Sequence, residues 1–365
     1  MSDGDSAGNR SFEQPLLTPR RLIQTLLVVV IVLGCIYFLF PKLVGLGDAE
    51  PIWIAVAIGF NVVAYFTYIA LFKAVVGGDA LRLRWIETYE INLAALAATR
   101  LFSAGGAGGI ALTYWALRKA GMARRDAARR MVAFLALQYA FYPLALILFG
   151  VLLRTGVLNG DHSLELTIIP AAVAGVLLVV GVLFAMIPSD VERRLSPFAH
   201  GDKARAFLHA AAKVPATLGE GFRFAISLFT HPSRGGLAVL GAAGFWAASI
   251  GVLWASFHAF GVHVPLAVVV QGFFLGMVAN LFPLAPAGVG AVDAGMIGAF
   301  VLFGIPEETV FPAILVFRLI AFWLPVPPGI VAFLQLRKTV HRWEEEGLPI
   351  DRGGSAKSDF EPAVG

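Results

Sequence analysis

Cysteine is almost missing from this chain. Cys35 is the only one in 365 residues, so an intrachain disulfide or a cluster of thiolate metal ligands is excluded. Charge is scarce too: Asp, Glu, Lys and Arg make up 14% of the residues, against roughly 25% in an ordinary soluble domain. The seven histidines are scattered, no HExxH stretch occurs, and no acidic cluster suits metal binding or general acid–base work. No catalytic residue, metal ligand or cofactor site is therefore assigned. The GGAGG run after Ala104 is not a nucleotide-binding fingerprint, because no strand precedes it.

What fills the chain instead is apolar. Hydrophobic residues make up 58% of it, and the mean hydropathy is +0.78. Six runs are long enough to span a bilayer: Leu22–Phe40, Ile52–Val76, Met131–Leu153, Leu166–Ile187, Gly236–Phe260 and Phe311–Leu336. Each has at least 19 residues, near the roughly 20 that a ~30 Å hydrocarbon core requires. The expected class is an all-α polytopic membrane protein. The first run reads as an uncleaved signal anchor, since it exceeds a usual signal core and LFPKLVGLGD offers no small-x-small site.

Lys and Arg counts orient the spans. With the amino terminus inside, the inner segments hold three basic residues before the first span, then two, six and seven in successive loops and five in the tail. The outer loops keep only Lys42 and Arg154. Both termini are expected in the cytoplasm of a cell whose inner (plasma) membrane holds the chain. The pI near 9.3 reports this topology and an attraction to anionic lipid; charge spread over short loops is no nucleic-acid signal.

Two membrane-depth stretches break alike, 180 residues apart: RLFSAGGAGGIA from Arg100 and NLFPLAPAGVGA from Asn280. In register they share Leu101/Leu281, Phe102/Phe282, Ala107/Ala287, Gly108/Gly288 and Ala111/Ala291. Gly and Pro are the worst residues for continuing a helix, and backbone freed inside a bilayer survives only when buried in protein or lining a polar cavity. Paired breaks in two halves point to a transport site. The arm Ile86–Leu101 would rise about 24 Å and the arm Ala291–Phe303 about 20 Å, both short of a crossing. The expectation is six spanning helices plus two re-entrant helical hairpins, one from each face, arranged as an inverted repeat. Gly59-Phe60 against Gly244-Phe245, and Ala70, Phe72 and Ala74 against Ala255, Phe257 and Ala259, add weaker matches at an offset of 185.

The domain plan follows. A cytoplasmic tail covers 1–21, a transmembrane domain 22–338 and a disordered cytoplasmic tail 339–365. The repeat halves, about 52–153 and 236–336, are joined by a span at 166–187 and a cytoplasmic loop at 188–235. That loop reads equally as amphipathic helix on the inner headgroups or as plain connector.

Charges at membrane depth cost about 2.5–3.5 kcal/mol or more unless paired or wet. Arg100 closes the first leading arm, Asp293 follows the second break, and Arg318 lies at comparable depth in the last span. An Asp293–Arg318 pair is feasible, and its structural and substrate-contacting roles both stay open. Arg100 beside loose backbone N–H groups suits a phosphate. Glu87 and Glu90 read as headgroup-level or paired with Arg82 and Arg84, Lys73 as snorkelling, and Pro325, Pro327 and Pro328 as a kink in the last span.

The stretch PLAPAGVGAVDAGMIGAFVLFGIPEETVFPAILVFRLIAFWLPVPPGIVAFL resembles the signature of the flippase-like transmembrane family named for the membrane region of lysylphosphatidylglycerol synthase. The shared elements are Pro286-Ala287-Gly288-Val289-Gly290, Asp293, Phe303-Gly304, Phe317-Arg318 and Pro325 to Gly329. AGGAGGIALTYWALRKAGM with the basic ARRDAARR is similar to the family's other half, and the resemblance runs from about Leu22 to Arg337. Asp293 stands where the family more often has Glu, Ser103 replaces a Pro and Ala287 a Gly. No stretch of this sequence is expected to form the family's lysyl-transferring soluble domain. The resemblance thus implies moving a lipid between leaflets, without synthesis. Substrate-binding candidates are Arg100, Gly105, Gly106, Gly108, Gly109, Pro286, Gly288, Gly290, Asp293 and Arg318. The expected partner is a membrane phospholipid or lipid-linked substrate, with no nucleic acid; a homo-oligomer or a lipid-synthesising enzyme is a further possible partner. Two alternatives remain: a membrane-embedded enzyme on lipid-linked phosphates or sugars, and a scaffold for an envelope-synthesis enzyme.

Overall fold

Helices account for nearly all the regular structure, as they must where no water is available to bond the backbone. The computed structural model describes residues 49–77, 83–101, 107–160, 163–186, 202–278 and 290–345. In chain order these form α1 (Pro51–Val76), α2 (Trp85–Leu101), α3 (Ala107–Lys119), α4 (Arg124–Arg154), α5 (Ile168–Ala185) and α6 (Asp202–Thr230). Then come α7 (Pro232–His258), α8 (Leu266–Val278), α9 (Ala291–Leu302), α10 (Glu307–Arg318), a π-helical turn at Leu319–Trp323, and α11 (Val326–Glu345). Among the described residues five helices are long and apolar enough to cross a membrane: α1, α4, α5, α7 from Gly235, and the continuous Glu307–Glu345 rod. The expected first span, Leu22–Phe40, and the tail 1–21 lie outside the described residues.

The glycines record how the helices pair. Gly241, Gly244 and Gly251 of α7 meet Leu71, Thr67 and Phe60 of α1, in reverse order, so these two helices run antiparallel. A Cβ on Gly241 would stand 2.8 Å from the Leu71 nitrogen, a distance only backbone without a side chain allows. Glu50 N–H donates to the Ala259 carbonyl at 2.8 Å and ties one end of the pair. In α8 and α9, Gly272 meets Phe300 and Gly276 meets Met296, again antiparallel. Gly109 of α3 likewise lies on Ala95 and Thr99 of α2. The described helices on either side of each break, α2 with α3 and α8 with α9, therefore pack against each other.

Further contacts join segments distant in the chain. α2 packs on α11, where Gly329 abuts the Leu93 carbonyl, and α8 packs on α4. α6 covers α4, α5 and α7. Basic residues close the helix ends on this side: Arg130 donates to the carbonyls of Val75, Val76 and Gly77 (2.8, 3.2 and 2.8 Å), and Arg223 to that of Ala185 at 3.0 Å. Two apolar cores result. One gathers Phe257, Phe273, Phe300 and Phe317; the other gathers Phe72, Leu117, Phe134 and Trp343.

Of the two readings of the 188–235 connector, the described part takes the helical one, as the 29-residue α6. One expectation needs revising. The tail was expected to be disordered from 339, yet α11 continues to Glu345 with Thr339, Val340 and Trp343 buried. Those apolar residues recur at helical spacing and face the second core, which a composition count over the polar tail obscures. Residues 346–365 lie outside the described residues.

Candidate functional site

Between the two cores lies a cavity of about 410 Å³, bounded by α1, α2, α3, α4, α7, α8 and residues 317–322 of the last rod. α1 contributes Asn61, Tyr65, Tyr68 and Phe72, whose spacing places them on one helix face. Tyr65 stands about 21 Å from the Pro51 end of α1 and about 17 Å from its Val76 end, at 1.5 Å per residue. The lining residues Tyr139 of α4 and Phe245 of α7 are also central in their helices. The cavity is therefore at mid-height of three long helices.

Its most polar wall arises from a backbone fault. At Leu319–Trp323 the ladder slips to π register, with Leu324 N–H donating to the Leu319 carbonyl at 2.8 Å. In that register the donors for the Ile320 and Phe322 carbonyls would come from Pro325 and Pro327, which have no N–H. Side chains from the other half take their place. Asn61 Nδ2 donates to Ile320 O at 2.9 Å, Tyr65 Oη to Ala321 O at 3.1 Å, and Arg100 to Ala321 O at 3.1 Å and to Phe322 O. Arg100 also donates to Tyr65 Oη at 2.8 Å, and its guanidinium lies over the Phe322 ring, 4.6 Å from the centroid. None of these partners is a carboxylate.

Arg318 is balanced differently. Its Nε donates to Asp293 Oδ1, and its guanidinium lies 5.0 Å from the same Phe322 ring. Asp293 Oδ2 in turn accepts from Gly290 N–H at 2.9 Å, capping α9. Gly290 has φ +86°, a left-handed conformation that a Cβ would strain. Arg318 and Phe322 also border a second cavity of about 200 Å³ that contains Asp293, so they form a wall between the two.

Of the expected site residues, Arg100, Gly109 and Arg318 line the central cavity, while Asp293 faces the smaller one. Gly108 is in the first turn of α3, and Gly290 caps α9. Gly105, Gly106, Pro286 and Gly288 lie outside the described residues, as does Ser103. The Asp293–Arg318 pair forms as the depths suggested. Arg100 meets carbonyl oxygens, a partner set that its position beside loose N–H groups did not suggest. Glu87 pairs with Arg84 at 3.1 Å, whereas Glu90 is fully buried and accepts from Thr339 at 2.6 Å. Lys73 donates to the Leu83 carbonyl and lies over Trp85 at 5.1 Å. Sequence reading missed Asn61, Tyr65, Gln138, Tyr142 and Trp246 of the cavity wall. Its available signal was polar and amphipathic side chains in the middle of otherwise apolar spans.

Over residues 25–329 the chain matches the family described as the lysylphosphatidylglycerol synthase TM region. Among curated proteins it is similar to a UPF0104 membrane protein of Methanothermobacter thermautotrophicus, 34% identical over 87 residues, 24% of this chain and 26% of that one. A further match of the same description and organism is 33% identical over 79 residues, 22% of this chain and 24% of the relative. The chain thus spans about a quarter of the length of the curated relatives it matches. No solved structure gives a significant match.

Proposed function

The chain belongs to the lysylphosphatidylglycerol synthase TM-region family and is a multi-pass membrane protein, and we propose that it carries a polar lipid headgroup from one leaflet to the other. The observation that carries this reading is Arg100: a guanidinium with no carboxylate partner among the described residues, in a cavity at mid-height of three long helices. Such a charge costs about 2.5–3.5 kcal/mol or more at mid-bilayer, and an anionic ligand offsets that cost.

The full architecture in this proposal has six spans and two re-entrant hairpins as an inverted repeat. Helices α8 and α9, at 13 and 12 residues, rise only about 20 and 18 Å. The packing pattern supports the repeat. Exchanging the halves maps α1 onto α7, α2 and α3 onto α8 and α9, and α4 onto the last rod. The α2–α11 contact then maps onto α8–α4, and the antiparallel α1–α7 pair onto itself. Rocking of the halves about that pair would open the cavity alternately. The protein would sit in the inner (plasma) membrane with both termini cytoplasmic and perform no chemical step.

The test is leaflet-resolved lipid labelling of intact cells with and without the gene. One lipid class should lose its outer-leaflet share when the gene is removed, and unchanged shares for every class would overturn the proposal.

A further inference from the structure

The central cavity has one sign of charge. Of the described residues lining it only Arg100 and Arg318 are charged, and Arg318 is held by Asp293 through the wall. The rest of the wall is neutral, polar and aromatic. Tyr68, Tyr139 and Tyr142 line the cavity, and their hydroxyls have no hydrogen-bond partner among the described residues. Beside them Gln138 leaves its Oε1 without a partner, and the Tyr142 and Trp246 rings meet edge to face at 4.7 Å.

We infer that the site selects its lipid by headgroup charge, taking a monoanionic phosphodiester with an uncharged, hydroxylated headgroup and rejecting an aminoacylated, cationic one. The inference rests on the transport reading for its setting, but it concerns binding alone. The uncompensated charge of the described cavity is one guanidinium, which matches one phosphodiester. Phenol and amide groups bond hydroxyls without adding charge, and the flat faces of Tyr and Trp accept the C–H side of a polyol or sugar. A lysylated headgroup would bring two ammonium groups into a space where no described lining residue is a carboxylate, a buried-charge cost that repulsion from Arg100 increases. The lysylated lipid in the family's description is therefore the wrong cargo for this cavity. Two sources share the favoured chemistry: a glycerophospholipid ending in glycerol, and a sugar carried on an isoprenoid phosphate.

The experiment is titration calorimetry on the detergent-solubilised full chain with short-chain probes. The probes are dihexanoyl phosphatidylglycerol, dihexanoyl phosphatidylmethanol, a decaprenyl-length or shorter glucosyl phosphate, and short-chain lysylphosphatidylglycerol. The lysylated probe should bind at least about tenfold more weakly than the better of the two hydroxylated anions; which anion is better identifies the source. Phosphatidylmethanol has the same charge but no headgroup hydroxyl. A Tyr139→Phe/Tyr142→Phe variant should lose several-fold in affinity for the hydroxylated anion and little for phosphatidylmethanol. Placing a carboxylate in the wall with Ser249→Asp should weaken the anions and strengthen the lysylated probe. Equal or tighter binding of the lysylated lipid by the unaltered protein overturns the inference, whatever the variants do. If charge selection holds but no lipid changes leaflet in vesicles, the transport reading fails and the cavity's selectivity stands. If transport occurs with a preference for cationic lipid, the reverse is true.

Discussion

Arg318 and Asp293 show what a charge at this depth requires. Asp293 spends one oxygen on Arg318 and the other on the Gly290 N–H, so a single carboxylate fixes both the α9 cap and the bridge from hairpin to last span. Its side chain is 28% exposed and that of Arg318 12%, which reduces the strength expected of a fully buried pair. Asp293→Asn should lower stability by about 1–3 kcal/mol, read as a fall in melting temperature in detergent. The double variant Asp293→Asn/Arg318→Leu should recover part of the loss, because a removed charge needs no partner; a strictly additive loss would refute the coupling. This pair was legible in sequence, since two opposite charges at matching depth have few other partners. The Asn61, Tyr65 and Arg100 contacts were not. Their acceptors exist only because the ladder slips a register before Pro325, and no side-chain pattern specifies which carbonyls such a slip exposes.

At the scale of elements, close backbone approach does the joining. Gly241→Val should force α7 away from Leu71 and reduce the folded yield, while Gly236→Val, with nothing within 4 Å of its Cβ position, should not; equal yields would contradict the α1–α7 register. α6 adds a polar contact to its close packing on Val132 of α4. Arg125 donates two hydrogen bonds to Glu220, which hold the Glu220 carboxyl below its usual range. A depressed carboxyl contributes stability that is present above its unfolded value, roughly pH 4.3, and is lost as pH falls through the lower folded value. Amide exchange in α6 should therefore quicken on acidification in that window, and Glu220→Gln should flatten the dependence. Most element bounds were readable from apolar run length: the run Ile52–Val76 became Pro51–Val76, and the arm Ala291–Phe303 became Ala291–Leu302. The seven residues added to the last helix, 339–345, were not, because the fit of Val340 and Trp343 depends on a core contributed by distant segments.

For the whole molecule, the inverted repeat and the transport reading stand or fall on different measurements. In a Cys35→Ser background, cysteines at Val157 and Glu307 should label from outside the cell, and those at Ala123 and His231 only after permeabilisation. All four positions are exposed, so a reversed or mixed pattern would contradict the charge-derived orientation rather than reflect burial. The central claim is that a headgroup passes through the cavity held by Arg100. Its most direct test is purified protein in vesicles carrying fluorescent phosphatidylglycerol, with an impermeant quencher following exchange between leaflets. The intact protein should expose the inner-leaflet label to the quencher, and Arg100→Gln should slow this by about tenfold, with Arg100→Lys between the two. Equal exchange for intact protein and Arg100→Gln, at matched folding and reconstitution, would contradict the claim.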